Sequence, residues 1–419
     1  AVETVIWLSE VAPKIGKKGK NILNKLLLAN EEANPGLNRK ALKLATGSGK
    51  TTVMAMIIAW QVINAIRYPN SKKFSKGFLI ITPGITIRDR LKELQPNSLN
   101  SIFSKIEIVP NEYKRDLLQA KIVITNYHTF QKKETLNISS GGKKFIEGWR
   151  GDSINSIETE SQMLHRVLGE LDSLKQIFII NDEAHHCYKE KLIDDDEKNK
   201  IILKDEEKEE AKSNREAARL WISGIEAISR RFSQSNLSVI DLSATPFFLA
   251  SSGYAEGTLF PWTVSDFSLM DAIECGIVKL PRVPVADNFS KEMPFYRDLW
   301  KNIKNQMPKK GRGKGVKYSP ENLPTELMTA IDTLYGHYSL TFDKWETAGI
   351  EVPPCFIIVC NNTSTSKLIF DYIAGYEITD ERGDKFLKKA ACQLFSNFDD
   401  FERPLSRPKT ILVDSKQLE

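Results

Sequence analysis

A chain of 419 residues with 41% hydrophobic content can bury a sizeable core, and its length fits two to three domains. No run approaches the roughly 18 consecutive apolar residues of a membrane span, and the opening AVETVIWLSEVAPKIGKKGK lacks the basic, apolar, small-residue order of a signal peptide, so a cytoplasmic protein without a membrane partner is expected. Its 59 basic residues against 54 acidic ones leave a mild positive excess that permits a nucleic-acid partner and does not require one. In chain order, short apolar runs recur at ALKLA (41–45), GFLIIT (77–82), KIVIT (121–125), QIFIIN (176–181) and LSVIDLS (237–243). Continuous rather than alternating hydrophobicity marks strands buried on both faces, and helical patterns between them supply the crossovers of a parallel α/β sheet. Between 189 and 212, 17 of 24 residues are charged, which reads as a solvated, partly helical insertion (189–213). From Ala218 onward, Trp221, Ile222, Ile225, Ile228 and Phe232 fall at helical spacing, the pattern of a helix packed back on the sheet.

Beyond this first body (1–285) the chain turns irregular. Pro294, Pro308, Pro320 and Pro324 and the basic, Gly-rich KKGRGKGVK (309–317) place a linker over 286–352. PPCFIIVCNNTSTSKLIFDYIAGYE then gives a strand, a polar loop and a helix, and KTILVD another strand. The 67 residues of 353–419 fall short of a usual domain of roughly 100–150 residues. With a first residue that is not Met and helical periodicity already under way in AVETVIWLSEVA, they read as an incomplete second domain in a fragment. Five cysteines without metal-ligand spacing suggest free thiols.

The chemistry concentrates in three stretches. LKLATGSGKTTVMAM runs from a strand through Gly47 and Gly49 into a helix, a loop whose backbone N–H groups can converge on phosphate oxygens. Lys50 adds a cation and Thr51 a hydroxyl for Mg²⁺. Leu44 stands where the general pattern has a further glycine. FIINDEAHHCY (178–188) drives an apolar strand into Asp182 and Glu183. Beside a phosphate cradle, Asp182 is a candidate metal ligand and Glu183 a candidate positioner or base for water. His185 is a hydrogen-bonding link rather than a metal ligand, and His186 and Cys187 are packing residues. In DLSATPFF (241–248), Ser243 and Thr245 offer hydroxyls that could bond His185, although Ser-Ala-Thr-Pro is by itself an ordinary turn composition.

ATGSGKT, DEAH and SATP, in that order on successive strand ends, resemble motifs I, II and III of superfamily 2 helicases and translocases, DEAH box proteins included. With FLIITPGITIRDRL, KIVITNYHTF, NDEAHHCY and FIIVCNNTSTSK the chain is most similar to the motor of type III restriction enzyme Res subunits and related restriction endonucleases. That resemblance implies a RecA-like P-loop domain followed by part of a second. It implies ATP and Mg²⁺ as cofactors, with Thr46, Gly47, Ser48, Gly49, Lys50, Thr51 and Thr52 on the nucleotide and Thr51 and Asp182 on the metal. Lys50, Asp182 and Glu183 would be catalytic, and His185, Ser243 and Thr245 would couple hydrolysis to movement. Thr82, Pro83 and Gly84, together with Asn126, Tyr127 and Asn361, would touch nucleic acid, although core packing serves Tyr127 equally well and a helix cap serves the Asn361–Asn362 pair. The implied activity is an ATP-dependent translocase on duplex DNA, with a methyltransferase subunit as a candidate partner. A helicase on RNA or on DNA outside restriction, and a nucleotide-regulated binding module with little turnover, stay open. The family's motifs V and VI have no counterpart here, nor does a nuclease site, so slow hydrolysis and no cleavage by this chain are expected.

Overall fold

The computed structural model describes residues 1–133, 157–191, 205–233, 236–249, 252–281, 298–308, 319–379 and 385–413. KKGRGKGVK and most of the charged insertion lie outside them. The chain divides into two compact units, Ala1–Leu280 and Pro281–Glu419.

In the first unit, strands β1 (Arg39–Leu44), β2 (Gly77–Thr82), β3 (Lys121–Asn126), β4 (Ile177–Asp182), β5 (Leu237–Ser243) and β6 (Thr263–Phe267) form one sheet in the order β3-β2-β4-β5-β1-β6. Every pairing in it is parallel. β2 and β4 are buried at every residue, as their unbroken apolar runs require of a sheet covered on both faces. One face carries Phe78, Ile80, Phe178, Ile180, Ile240 and Leu242. After helices α1 (Val2–Ile6) and α2 (Lys17–Ala33), helix α3 (Lys50–Arg67) packs there through Met54, Ile57, Ile58 and Val62. The other face carries Leu79, Ile81, Ile179 and Val239. It is covered by the 28-residue helix Asp205–Phe232 through Trp221, Ile225 and Ile228, whose apolar stripe begins where the sequence pattern placed it. That helix crosses close to Phe130 at Gly224, where a Cβ would stand 2.3 Å from the ring. A doubly covered parallel α/β sheet of the RecA-like kind is therefore the fold.

Strand β6 was not expected. TVSDF is short and only half-buried, an edge strand whose mixed polarity gives neither an alternating nor a continuous signal.

The second unit has its own core, in which Ile303, Met307, Leu323, Leu327 and Ile331 meet Leu368, Ile369, Ile373 and Phe395. Two helices, Thr325–Thr347 and Thr363–Ala374, and an antiparallel pair, β7 (Tyr376–Thr379) with β8 (Lys385–Lys388), make up its regular part. Two expectations are corrected here. The stretch 286–352 is not irregular throughout: Pro320 opens a short 3-10 turn and Pro324 precedes the 23-residue helix, positions where a missing N–H costs nothing, while Pro294 lies outside the described residues. Conversely, FIIVC and KTILVD form no ladder among the described residues. Ile357, Val359, Ile411 and Val413 are exposed, because apolar sequence alone makes no strand without a neighbour to pair with.

Candidate functional site

All strands of the first sheet run parallel, so their C-terminal ends share one edge, where open α/β sheets bind ligands. Each stretch singled out in the sequence leaves the sheet at that edge. After β1, Gly47 (φ 81°) and Gly49 (φ 92°) take left-handed backbone that a side chain would oppose. Ser48 is tied back to the Ala45 carbonyl through both its backbone N–H and its hydroxyl. The chain then enters α3 at Lys50, leaving the first-turn N–H groups of that helix at the loop. Thr46 and Gly47 are exposed, and Ser48, Gly49, Lys50, Thr51 and Thr52 are half-buried.

Lys50 Nζ reaches across the edge to Glu183 Oε1. Glu183, the first residue after β4, has left-handed backbone (φ 51°, ψ 47°), uncommon for a residue with a Cβ and typical of strained functional turns. Its other oxygen lies 3.5 Å from His185 Nδ1, and that nitrogen shares a 3.0 Å hydrogen bond with Ser243 Oγ at the end of β5. Ser243 Oγ also accepts from the Thr245 N–H at 3.0 Å. Thr245 is exposed and reaches His185 through Ser243 rather than by its own hydroxyl. Burial, reinforced by the His186 ring 4.1 Å away, pushes the His185 imidazole down to about 4 against the pull of Glu183. It is neutral at pH 7.

Asp182 is 6% exposed, and its Oδ1 is buried without a hydrogen-bond partner. Desolvation raises its carboxyl above the usual range, opposed by the charge of Lys50. A buried carboxylate oxygen left unpaired costs free energy, and a hard cation that prefers oxygen would satisfy it. Asp182 thus has the donor chemistry of a magnesium ligand, and the Thr51 hydroxyl, in the first turn of α3, is a second oxygen donor of the kind such an ion takes. Among the described residues no group of three or more His, Cys, Asp or Glu side chains could hold another kind of metal.

Of the nucleic-acid candidates, Thr82 and Asn126 are register partners at the ends of β2 and β3, and Asn361 belongs to the second unit. Thr82 is fully buried, its hydroxyl placed against the Gly84 and Thr125 carbonyls at 3.0 and 3.3 Å. The Thr82 hydroxyl is thus engaged within the loop, and Pro83 and Gly84 beside it are half-buried. Asn126 has a buried Oδ1 with no partner. Tyr127 stacks on Trp221 at 5.3 Å and an interplanar angle of 6°, so it packs as well as lining the edge. Asn361 is exposed in the second unit. Its neighbour Asn362 caps the helix Thr363–Ala374 by accepting from Thr365 N–H at 2.8 Å.

Sequence reasoning missed what lies beneath this edge. Asp241 is fully buried and accepts from Arg39 Nε (2.9 Å), Asn181 Nδ2 (2.7 Å) and Trp262 Nε1 (2.8 Å). Arg39 also donates to Asn34 and to the Cys187 carbonyl. Trp221 Nε1 donates to Asn181 Oδ1 at 3.0 Å. Asn181 precedes Asp182 and Asp241 lies two residues before Ser243, so one polar node sits below both strand ends. A lone Asp inside LSVIDLS and a lone Asn inside IFIIND were the available signals.

The environment of His185 gives a pH dependence. The folded imidazole takes a proton only near pH 4, whereas the unfolded chain takes it near 6.5. Between these values the unfolded state binds more protons, so stability falls as the pH is lowered from 6.5 towards 4. Replacing His185 with Asn is expected to shrink that fall, read as denaturation midpoint against pH; parallel curves for the two proteins would refute it.

The chain matches the family model described as type III restriction enzyme, res subunit, over residues 17–248, more than half its length. It is similar to the UvsW helicase from bacteriophage T4, at 14% identity over 58% of this chain and 57% of that one, with a TM-score of 0.22. That likeness is too distant to carry weight. No curated protein matches it.

Proposed function

The chain belongs to the family of the type III restriction enzyme Res subunit, a helicase-type family, and from that premise we propose that Ala1–Leu280 is the nucleotide-binding lobe of an ATP-dependent translocase acting on duplex DNA. The observation that carries this reading is the convergence of Lys50, Asp182, Glu183, His185 and Ser243 on one sheet edge, with a buried oxygen of Asp182 left for a cation. In this reading the loop N–H groups from Gly47 to Thr52 hold the phosphates of ATP, and Lys50 leaves Glu183 for them. Thr51 and Asp182 would hold Mg²⁺, which would supply positive charge to offset that of the phosphates. Glu183, released from Lys50, orients and deprotonates the attacking water, and its strained backbone fixes the direction of the carboxylate. Neutral His185 joins Glu183 to Ser243, so a change at β4 is passed to the end of β5 and its Thr245 loop.

Pro83, Gly84, Asn126 and Tyr127 would follow the phosphate backbone without reading sequence; in the second unit Asn361 is a separate candidate for such a contact. A restriction role places a methyltransferase subunit beside this motor and assigns cleavage to residues other than these.

The test is Mg²⁺-ATP hydrolysis by the full chain without nucleic acid, with duplex DNA and with duplex RNA. A rate at least tenfold higher with DNA is the expected result. Stimulation by RNA alone would replace the reading with an RNA helicase. Nucleotide binding with no response to either would favour a nucleotide-regulated binding module.

A further inference from the structure

Helix α2 (Lys17–Ala33) follows a short 3-10 turn, Ala12–Lys14, and the two are bound closely together. Residues 11–30 contain Lys14, Lys17, Lys18, Lys20 and Lys25 and no Asp or Glu. Five cations without an acid in 20 residues make this a locally basic stretch in a chain of formal net charge +5. All five lysines are exposed. Among the described residues none of them is in an ion pair, whereas Lys43, Lys189, Lys301, Lys367 and Lys388 each have a carboxylate partner.

The arrangement is specified rather than incidental. Gly16 has φ 69°, and a Cβ at Gly19 would fall 1.9 Å from the Ala12 carbonyl oxygen, so glycine is required for the turn to close on the helix. A glycine inside a helix costs about 1 kcal/mol relative to alanine. Lys17, Lys18 and Lys20 also occupy the opening turns of α2, which have no acidic residue, against the helix dipole at a cost of about 0.3–1 kcal/mol each at the first turn. The glycine is explained by the closure of the turn, whereas the lysines break a local rule with no compensating partner among the described residues, which points to a use outside the fold.

The chemistry of the patch selects its ligand. It has no Arg, Phe, Tyr or Trp between residues 11 and 30, hence neither a bidentate fork for a base edge nor a ring for stacking unpaired bases. Lysines are compact point charges suited to phosphate. From Lys17 to Lys25 they extend about 12 Å along the helix axis, a length that meets several phosphates of one strand at about 3.4 Å each. We propose that Lys14, Lys17, Lys18, Lys20 and Lys25 form a second, sequence-independent binding surface for the phosphate backbone of duplex DNA, separate from the sheet edge that holds the nucleotide. The proposal rests on the translocase reading for the identity of the polyanion.

The test measures binding of the full chain to a short labelled DNA duplex across a range of salt, for the parent, for Lys17→Gln/Lys18→Gln/Lys20→Gln and for the corresponding triple Arg variant. The Gln variant should bind at least tenfold more weakly at low salt. Its plot of log affinity against log salt should be shallower by about 2.7 if all three cations meet phosphate, with the Arg variant restored and nucleotide binding without DNA unchanged in both. Equal slopes for parent and Gln variant would overturn the patch and leave the translocase reading standing. Loss of binding to anionic lipid vesicles with duplex binding intact would also overturn it, in favour of a membrane surface. A parent that binds no duplex at all would overturn both readings.

Discussion

Replacing Glu183 with Gln is expected to lower single-turnover ATP hydrolysis by a factor of about 10² to 10⁴, the usual contribution of a positioned general base, while nucleotide binding is kept or tightened. The amide matches the acid in size and fits the same left-handed turn, so the loop geometry survives. It removes the negative charge that engages Lys50, leaving that ammonium wholly to phosphate. Lys50→Ala should show the complementary pattern, with weakened nucleotide binding because the cation facing the phosphates is gone. Binding by a fluorescent nucleotide and turnover by released phosphate separate the two. A Glu183→Gln protein that hydrolyses ATP at the parental rate would remove Glu183 from the reaction and return its ion pair with Lys50 to a structural role.

The second large effect lies in the core. Asp241→Ala should destabilise the first unit by about 3–5 kcal/mol, the cost of leaving a buried charge without its partner. For a unit of this size that corresponds to a Tm lower by roughly 6–20 °C. The reason is concrete: Arg39, with a side chain wholly out of solvent, would keep its charge while its carboxylate disappears, and the donors of Asn181 and Trp262 would be orphaned with it. The Lys43–Asp266 pair on the same sheet is the contrast. Its Asp266 side chain is 48% exposed, and Asp266→Ala should cost no more than about 1 kcal/mol, as exposed ion pairs do. If thermal unfolding moved equally in both variants, the buried node would have no special part in stability.

Much of the sheet was legible in the sequence because burial on both faces leaves a direct trace: GFLIIT and IFIIND are buried at every residue. The glycine loop after β1 was legible because glycine at 47 and 49 is demanded by backbone conformation. The link between His185 and Ser243 was anticipated as a pairing of residue types, 58 positions apart, and the structure holds those atoms at 3.0 Å. What could not be read was set by neighbours distant in the chain. Arg39 and Asp241 are 202 residues apart, and nothing local in RKALKL marks an arginine bound for the interior. Thr82 was a contact candidate through the resemblance alone, and nothing local in the sequence marks that two carbonyls claim its hydroxyl. FIIVC and KTILVD show the converse error, since apolar composition does not name the strand that would pair with it.

The run of contacts from Tyr127 through Trp221, Asn181 and Asp241 to Arg39 and Trp262 bears on how this sequence can drift over generations. Each member fills a bonding or stacking valence of the next, so a single exchange leaves at least one buried neighbour unsatisfied, and the energies of such neighbours do not add. A substitution at one position opens a path only when its partner has already changed or changes soon after. Lineages should therefore keep these six residues together or replace them in concert, while the exposed Lys43 and Asp266 wander independently.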